Sequence, residues 1–165
     1  MPKRSQQLEE FLDTLRDSNG FANFDEISER SFCDDTALHV AVRFFENDVV
    51  PELLALGIDI NAIGDMNQTP LHVAVSVNNL AMAEYLIDHG ASLVISDDLH
   101  GQPPFFGAIL KENDEMVYLL FRKIFGEYDA GRNKRIIDSW VEFHSLQKER
   151  LLASYKRDQE DRNET

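Results

Sequence analysis

Only one cysteine, Cys33, occurs in this chain, so no internal disulfide can form and nothing in the framework asks for an oxidising compartment. Basic residues are also scarce: 16 Lys and Arg stand against 30 Asp and Glu, a formal net charge of −14. That balance repels nucleic-acid phosphates and anionic lipid surfaces, which excludes both as expected partners. Long apolar runs are missing too, since no stretch approaches the roughly 18 residues a membrane span needs. The basic start, Met1-Pro2-Lys3-Arg4, is followed by Gln6, Gln7, Glu9 and Glu10 where a secretory leader would continue with apolar residues. A cytoplasmic location is the simplest expectation. The two Asn-x-Thr triplets, Asn67-Gln68-Thr69 and Asn163-Glu164-Thr165, are short patterns that matter only in a secreted chain.

Catalytic motifs are equally absent. There is no Gly-x-Ser-x-Gly, no Gly-Lys-Ser/Thr phosphate loop and no Gly-x-Gly-x-x-Gly. Cys33 has no histidine or cationic neighbour in sequence to activate it. The carboxylate pairs Asp34-Asp35 and Asp97-Asp98 lack the alternating spacing of a calcium loop. His100 and His144 have no Cys or His nearby at ligand spacing. The expectation is therefore no catalytic residue, no cofactor and no metal.

What is present is repetition. Thr36-Ala37-Leu38-His39-Val40-Ala41-Val42 recurs 33 residues later as Thr69-Pro70-Leu71-His72-Val73-Ala74-Val75, and 34 residues further on in degraded form as Pro103-Pro104-Phe105-Phe106-Gly107-Ala108-Ile109. Val49, Val50, Leu53, Leu54 and Gly57 answer to Met82, Ala83, Leu86, Ile87 and Gly90. Within a unit, Leu38, Ala41 and Val42 have helical spacing. A second helix is predicted to open at Asp48, carry Val49, Val50, Leu53 and Leu54 on one face, and stop at Gly57. Two short amphipathic helices cannot enclose a core, so stability must come from stacking units side by side. The polar stretches between helix pairs, 59–68 and 92–102, are rich in Gly, Asn and Asp and suit projecting hairpin-like fingers.

Motif, period and terminal glycine together make the chain resemble the ankyrin-repeat family, whose unit of about 33 residues carries Thr-Pro-Leu-His-x-Ala. The second unit matches nearly throughout. The first has Ala37 in place of Pro and Phe45 where the family usually has Gly. The third has Pro103 for Thr, Phe106 for His, and Ile124 where a Gly would close the second helix. The resemblance implies an all-α solenoid of stacked helix-turn-helix units with finger loops and helical caps. On this reading residues 1–30 form an N-terminal capping half repeat, 31–63 and 64–97 are repeats, and 98–126 is a degenerate repeat. Residues 130–157 form a C-terminal helix and 158–165 a disordered tail. The half repeat rests on Leu8, Phe11, Leu12 and Leu15 before Asn19-Gly20; the terminal helix rests on Ile136, Ile137, Trp140, Val141, Leu151, Leu152 and Tyr155, and either caps the stack or docks to a partner. The resemblance also implies that His39 and His72 are structural, each ring bonding to backbone near a finger.

Partners of this family usually lie against the finger tips and the first helices. Carried over by the matched signature, the candidate partner-binding residues are Phe32, Asp35, Arg43 and Phe44 in the first unit. In the second they are Asp65, Met66, Gln68, Ser76 and Val77, and in the third Leu99, His100, Gln102 and Lys111, with Cys33 and Leu110 beside them. Phe44, Met66, Val77 and Leu99 are apolar where a purely solvated surface would be polar; the alternative for Phe44 and Phe45 is a wedge between the terminal helix and the first unit. Residues 31–98 hold 11 acids and a single base, Arg43, whereas residues 130–165 are nearly balanced. Such charge serves solubility or attracts a basic partner. The function expected first is non-enzymatic binding of a basic protein, as an inhibitor or immunity protein that occludes it. The alternative is a regulatory or assembly subunit docking through Trp140 and Phe143. An enzyme built from scattered carboxylates with His100 or His144 is disfavoured, and would need a bound metal or a deep pocket gathering those groups.

Overall fold

The computed structural model describes residues 4–17, 29–98 and 101–125, together with residues 153, 156, 157 and 160. Seven α-helices lie along the described chain: α1 (Gln6–Asp17), α2 (Ala37–Arg43), α3 (Val50–Ala55), α4 (Pro70–Ser76), α5 (Leu80–Asp88), α6 (Pro104–Leu110) and α7 (Asp114–Phe125). Among the described residues extended pairing is limited to one isolated antiparallel bridge, Arg30 with Thr36. The fold is the all-α repeat solenoid that the periodicity implies.

Each unit pairs a first helix (α2, α4, α6) with a second (α3, α5, α7). The first helices form one row, α2 on α4 on α6, and α5 packs on α7 in the second row. Leu38, Leu71 and Phe105 occupy the same place in successive first helices, and Leu53, Leu86 and Leu120 line the second row; all six are fully buried. One continuous apolar cluster runs from Leu8 to Phe121. Because no unit could bury this stripe alone, the array is the folding unit. Leu8, Phe11, Leu12 and Leu15 are buried on one side of α1, which lies against the 3₁₀ turn Asn47–Val49.

The second helix of the first unit begins with that 3₁₀ turn and becomes α-helical at Val50, two residues later than the sequence predicts, with Pro51 in its first turn. Gly57 and Gly90 close α3 and α5 at φ +96°, a conformation an L side chain rarely adopts. Ile124 stands at the corresponding point of the third unit, so α7 runs on to Phe125. The terminal-helix residues 130–152, with Trp140, Phe143 and His144, lie outside the described residues, as do Asn19-Gly20 and most of 158–165. Arg157 is described, its guanidinium 3.9 Å from the centre of the Tyr118 ring on α7.

Between the two helices of every unit one residue takes a left-handed backbone: Phe45 (φ 62°), Asn78 (φ 59°) and Glu112 (φ 57°). Asn tolerates this region, whereas a bulky aromatic side chain is strained there. Phe45 is also 53% exposed, so little packing offsets the strain. Phe45→Asn is expected to raise stability by about 1 kcal/mol, read as a higher urea midpoint with an unchanged slope.

Candidate functional site

Three fingers close in the same way, each by a backbone bond across its base: Ser31 N–H to Asp35 O at 2.8 Å, Gly64 N–H to Gln68 O at 2.8 Å, and Asp97 N–H to Gln102 O at 3.0 Å. The third loop holds one residue more, which accounts for the spacing of 34 rather than 33. Histidine then ties the second and third fingers each to the unit before it. The His39 Nε2–H donates to Gln68 O at 3.0 Å, and the His72 Nε2–H donates to Gln102 O at 3.3 Å. A ring nitrogen facing a carbonyl must carry the proton, which leaves Nδ1 as the acceptor. His39 Nδ1 receives the Thr36 backbone N–H at 3.2 Å and its hydroxyl at 2.8 Å; His72 Nδ1 receives those of Thr69 at 3.1 and 2.9 Å. Both rings are neutral, and burial pushes both below the ordinary histidine pKa, opposed by the bonds to Gln68 and Gln102 and by Asp35 and Asp97 nearby.

Neighbouring fingers also touch directly. Asp65 N–H donates to Asp35 Oδ1 at 3.2 Å, and Asp98 N–H donates to Met66 O at 2.8 Å. Met66 and Asn67 form the second finger tip in left-handed conformations, φ 53° and 55°. The Met66 side chain is left 52% exposed.

The residues singled out from sequence fall into two groups. Met66, Gln68, Ser76, Gln102 and Lys111 converge on one groove of about 420 Å³ between the second and third units, with Leu110 on its rim. Phe32, Asp35, Arg43 and Phe44 lie on the first unit; Asp65 adjoins Met66, and Val77 ends α4 half-buried beside the groove. Leu99 and His100 lie outside the described residues. Phe32 and Phe44 project into solvent, Phe44 at 67% exposure, and so does Phe45. Asp35 differs from the open position expected of it: it is 2% exposed, and its carboxylate binds the Arg43 guanidinium at 2.7 Å as well as the Asp65 amide. The pair fixes the first finger against α2, so Asp35 offers no surface and Arg43 offers only part of its charge. Sequence reasoning missed Val75, Asp97, Pro104 and Gly107, which help to line the groove. The signal that could have found them was Gly107, standing where the first two units have Val40 and Val73.

His89 ends α5, its Nδ1 2.7 Å from the Tyr85 carbonyl and its ring stacked on Tyr85 with centroids 3.9 Å apart. Among the described residues no three His, Cys, Asp or Glu side chains converge as metal ligands would. No helix among them is long and apolar enough to cross a membrane.

A family model of ankyrin repeats in three copies matches residues 38–133. The chain belongs to the ankyrin-repeat family. It is 37% identical over 101 residues to the probable 26S proteasome regulatory subunit p28 of Saccharomyces cerevisiae, a match covering 60% of this chain and 43% of that protein. It is 39% identical over 75 residues to the potassium channel GORK of Arabidopsis thaliana, covering 46% of this chain and 9% of the channel. Over 58 residues it is 38% identical to the mouse RelA-associated inhibitor, covering 35% of this chain and 7% of that protein. The chain thus spans less than half the length of each relative. Membership of this ankyrin-repeat family makes the chain a protein–protein interaction module.

Proposed function

We propose that this ankyrin-repeat chain binds a basic protein through the face shared by its finger tips and first helices, as a cytoplasmic inhibitor or regulatory subunit. The observation that carries the reading is the groove between the second and third units, where side chains from two fingers and two helices meet beneath two exposed apolar residues, Met66 and Leu110. Exposed large apolar groups set among acids suit an interface whose partner brings apolar anchors within a basic rim. The excess of 11 acids over one base in residues 31–98 supports the sign of that partner. The similarity to a probable proteasome regulatory subunit supports the regulatory or assembly version; the inhibitor version rests on charge and the small array alone.

Immobilised chain should retain a basic protein from its native extract. Phe44→Ala combined with Met66→Ala is expected to reduce that recovery at least tenfold, because apolar residues central to an interface commonly contribute more than about 1 kcal/mol each. Raising salt should weaken the capture as well. Equal recovery of the same partner by both versions would show that this face is not the binding surface. The partner's own activity then divides the two versions: loss on binding fits the inhibitor, and full retention leaves the regulatory or assembly subunit.

A further inference from the structure

Gly107 sits in the middle of α6, at the position filled by Val40 in α2 and Val73 in α4. A helix interior disfavours glycine by about 1 kcal/mol relative to alanine, and neither usual reason for accepting that cost applies here. Its φ is not in the left-handed region, and a Cβ built on it would meet only Val75 Cγ1, at an ordinary 3.5 Å. The missing side chain opens the groove instead. Val75 and Pro104 lie under it, and Met66 and Leu110, 52% and 48% exposed, stand at its edges. The volume, about 420 Å³, is at the lower end of the range of ligand-sized clefts. Charge around it is polarised. The Asp98 amide bonded to Met66 O sets the exposed carboxylates of Asp65 and Asp98 on adjoining finger tips, while Lys111 lines the opposite, helix-end side.

We propose that the groove beside Gly107 receives one long apolar side chain, of the Leu, Met or Phe class, from an extended segment of the partner, with Lys or Arg next to it in sequence to reach Asp65 and Asp98. The apolar side chain would cover Val75, Pro104 and the two exposed edges, and the adjacent cation would meet the acidic finger tips. Gly107 is then the specificity-determining position of the array. The proposal rests on the protein-binding reading above and names the partner's chemistry at that face.

The test uses the full chain, immobilised, and three pools of dodecapeptides randomised except at three central positions. The first pool carries Leu, Met or Phe followed by two Arg or Lys; the second replaces the apolar residue by Ala; the third replaces the cations by Glu. The first pool is expected to be retained at least tenfold over either control. Gly107→Val, which restores the side chain of the other two units, should erase that preference while melting no lower than the parent. Gly107→Ala, which folds without any crowding, should reduce it in part. Retention of the first pool at the level of its Ala counterpart, or a preference left intact by Gly107→Val, would overturn the proposal. The captured basic protein separates the two levels of inference: loss of capture with Phe44→Ala but not with Gly107→Val sinks the groove alone, and indifference to both sinks the whole binding face.

Discussion

Gly64→Ala is expected to destabilise the array by about 1–3 kcal/mol, the range for forcing a methyl group into a fully packed site. A Cβ at this position would stand 2.4 Å from Asp35 Oδ1 and 2.8 Å from His39 Nε2. Neither neighbour is a loose end. Asp35 is held by Arg43 and the Asp65 amide, and His39 is held at both nitrogens. Accommodating the methyl group must disturb the Asp35 carboxylate with its amide and guanidinium contacts, the ring-to-finger bond, or both, in a buried place where an unmade hydrogen bond costs on the order of 1–3 kcal/mol. Chemical denaturation measures the effect, and Gly107→Ala supplies the contrast. That glycine has room and a helical backbone, so the same substitution should leave stability unchanged or raise it by up to about 1 kcal/mol. Equal losses at the two positions would show that packing around Gly64 is looser than its distances imply.

Mild acid is expected to unfold the chain from the same two histidines. Both have folded-state pKa values below the ordinary 6.5, chiefly because burial penalises the charged ring. The unfolded chain therefore binds more protons than the folded one as soon as pH drops below about 6.5. The stability linked to His39 and His72 is complete above that pH and is lost as pH falls toward the lowered values. Protonation would also place a donor on Nδ1, opposite the Thr36 and Thr69 amide protons it now accepts, and so break both bonds. The midpoint of thermal unfolding should accordingly fall between pH 7.5 and 5.5, above the range where surface carboxylates titrate. His39→Leu with His72→Leu should start less stable by about 1–3 kcal/mol per site, from the stranded threonine amides, but lose most of this pH slope. A slope that survives the double substitution would place the proton uptake elsewhere.

The repeat was legible because its signal is redundant: Leu38, His39 and Ala41 return as Leu71, His72 and Ala74, and the closing glycines return with them. The structural role of the two histidines was implied by the family resemblance that this register carries, and their bonds to Gln68 and Gln102 agree with it. The failures have physical causes. Asp35 was assigned to the open face because the matched family signature places it in a finger, but its partner Arg43 lies eight residues away at the far end of α2, a distance at which no sequence rule pairs charges. The start of α3 slipped by two residues because helix periodicity does not distinguish a tight 3₁₀ turn from a first α-helical turn. The groove was half seen. Its rim residue Met66 stands out as apolar on a polar finger, whereas its depth depends on a side chain that is missing, and Gly107 drew no attention within a motif already marked as degenerate.

The carbonyls of Gln68 and Gln102 each take two protons, one from their own finger and one from the histidine of the unit before. Phe106 stands where a third such histidine would be, and a phenyl ring has nothing to give. The ring-to-carbonyl keying between units therefore runs in one direction and ends at α6, so the third unit has no histidine to fix the height of whatever is laid against its far side.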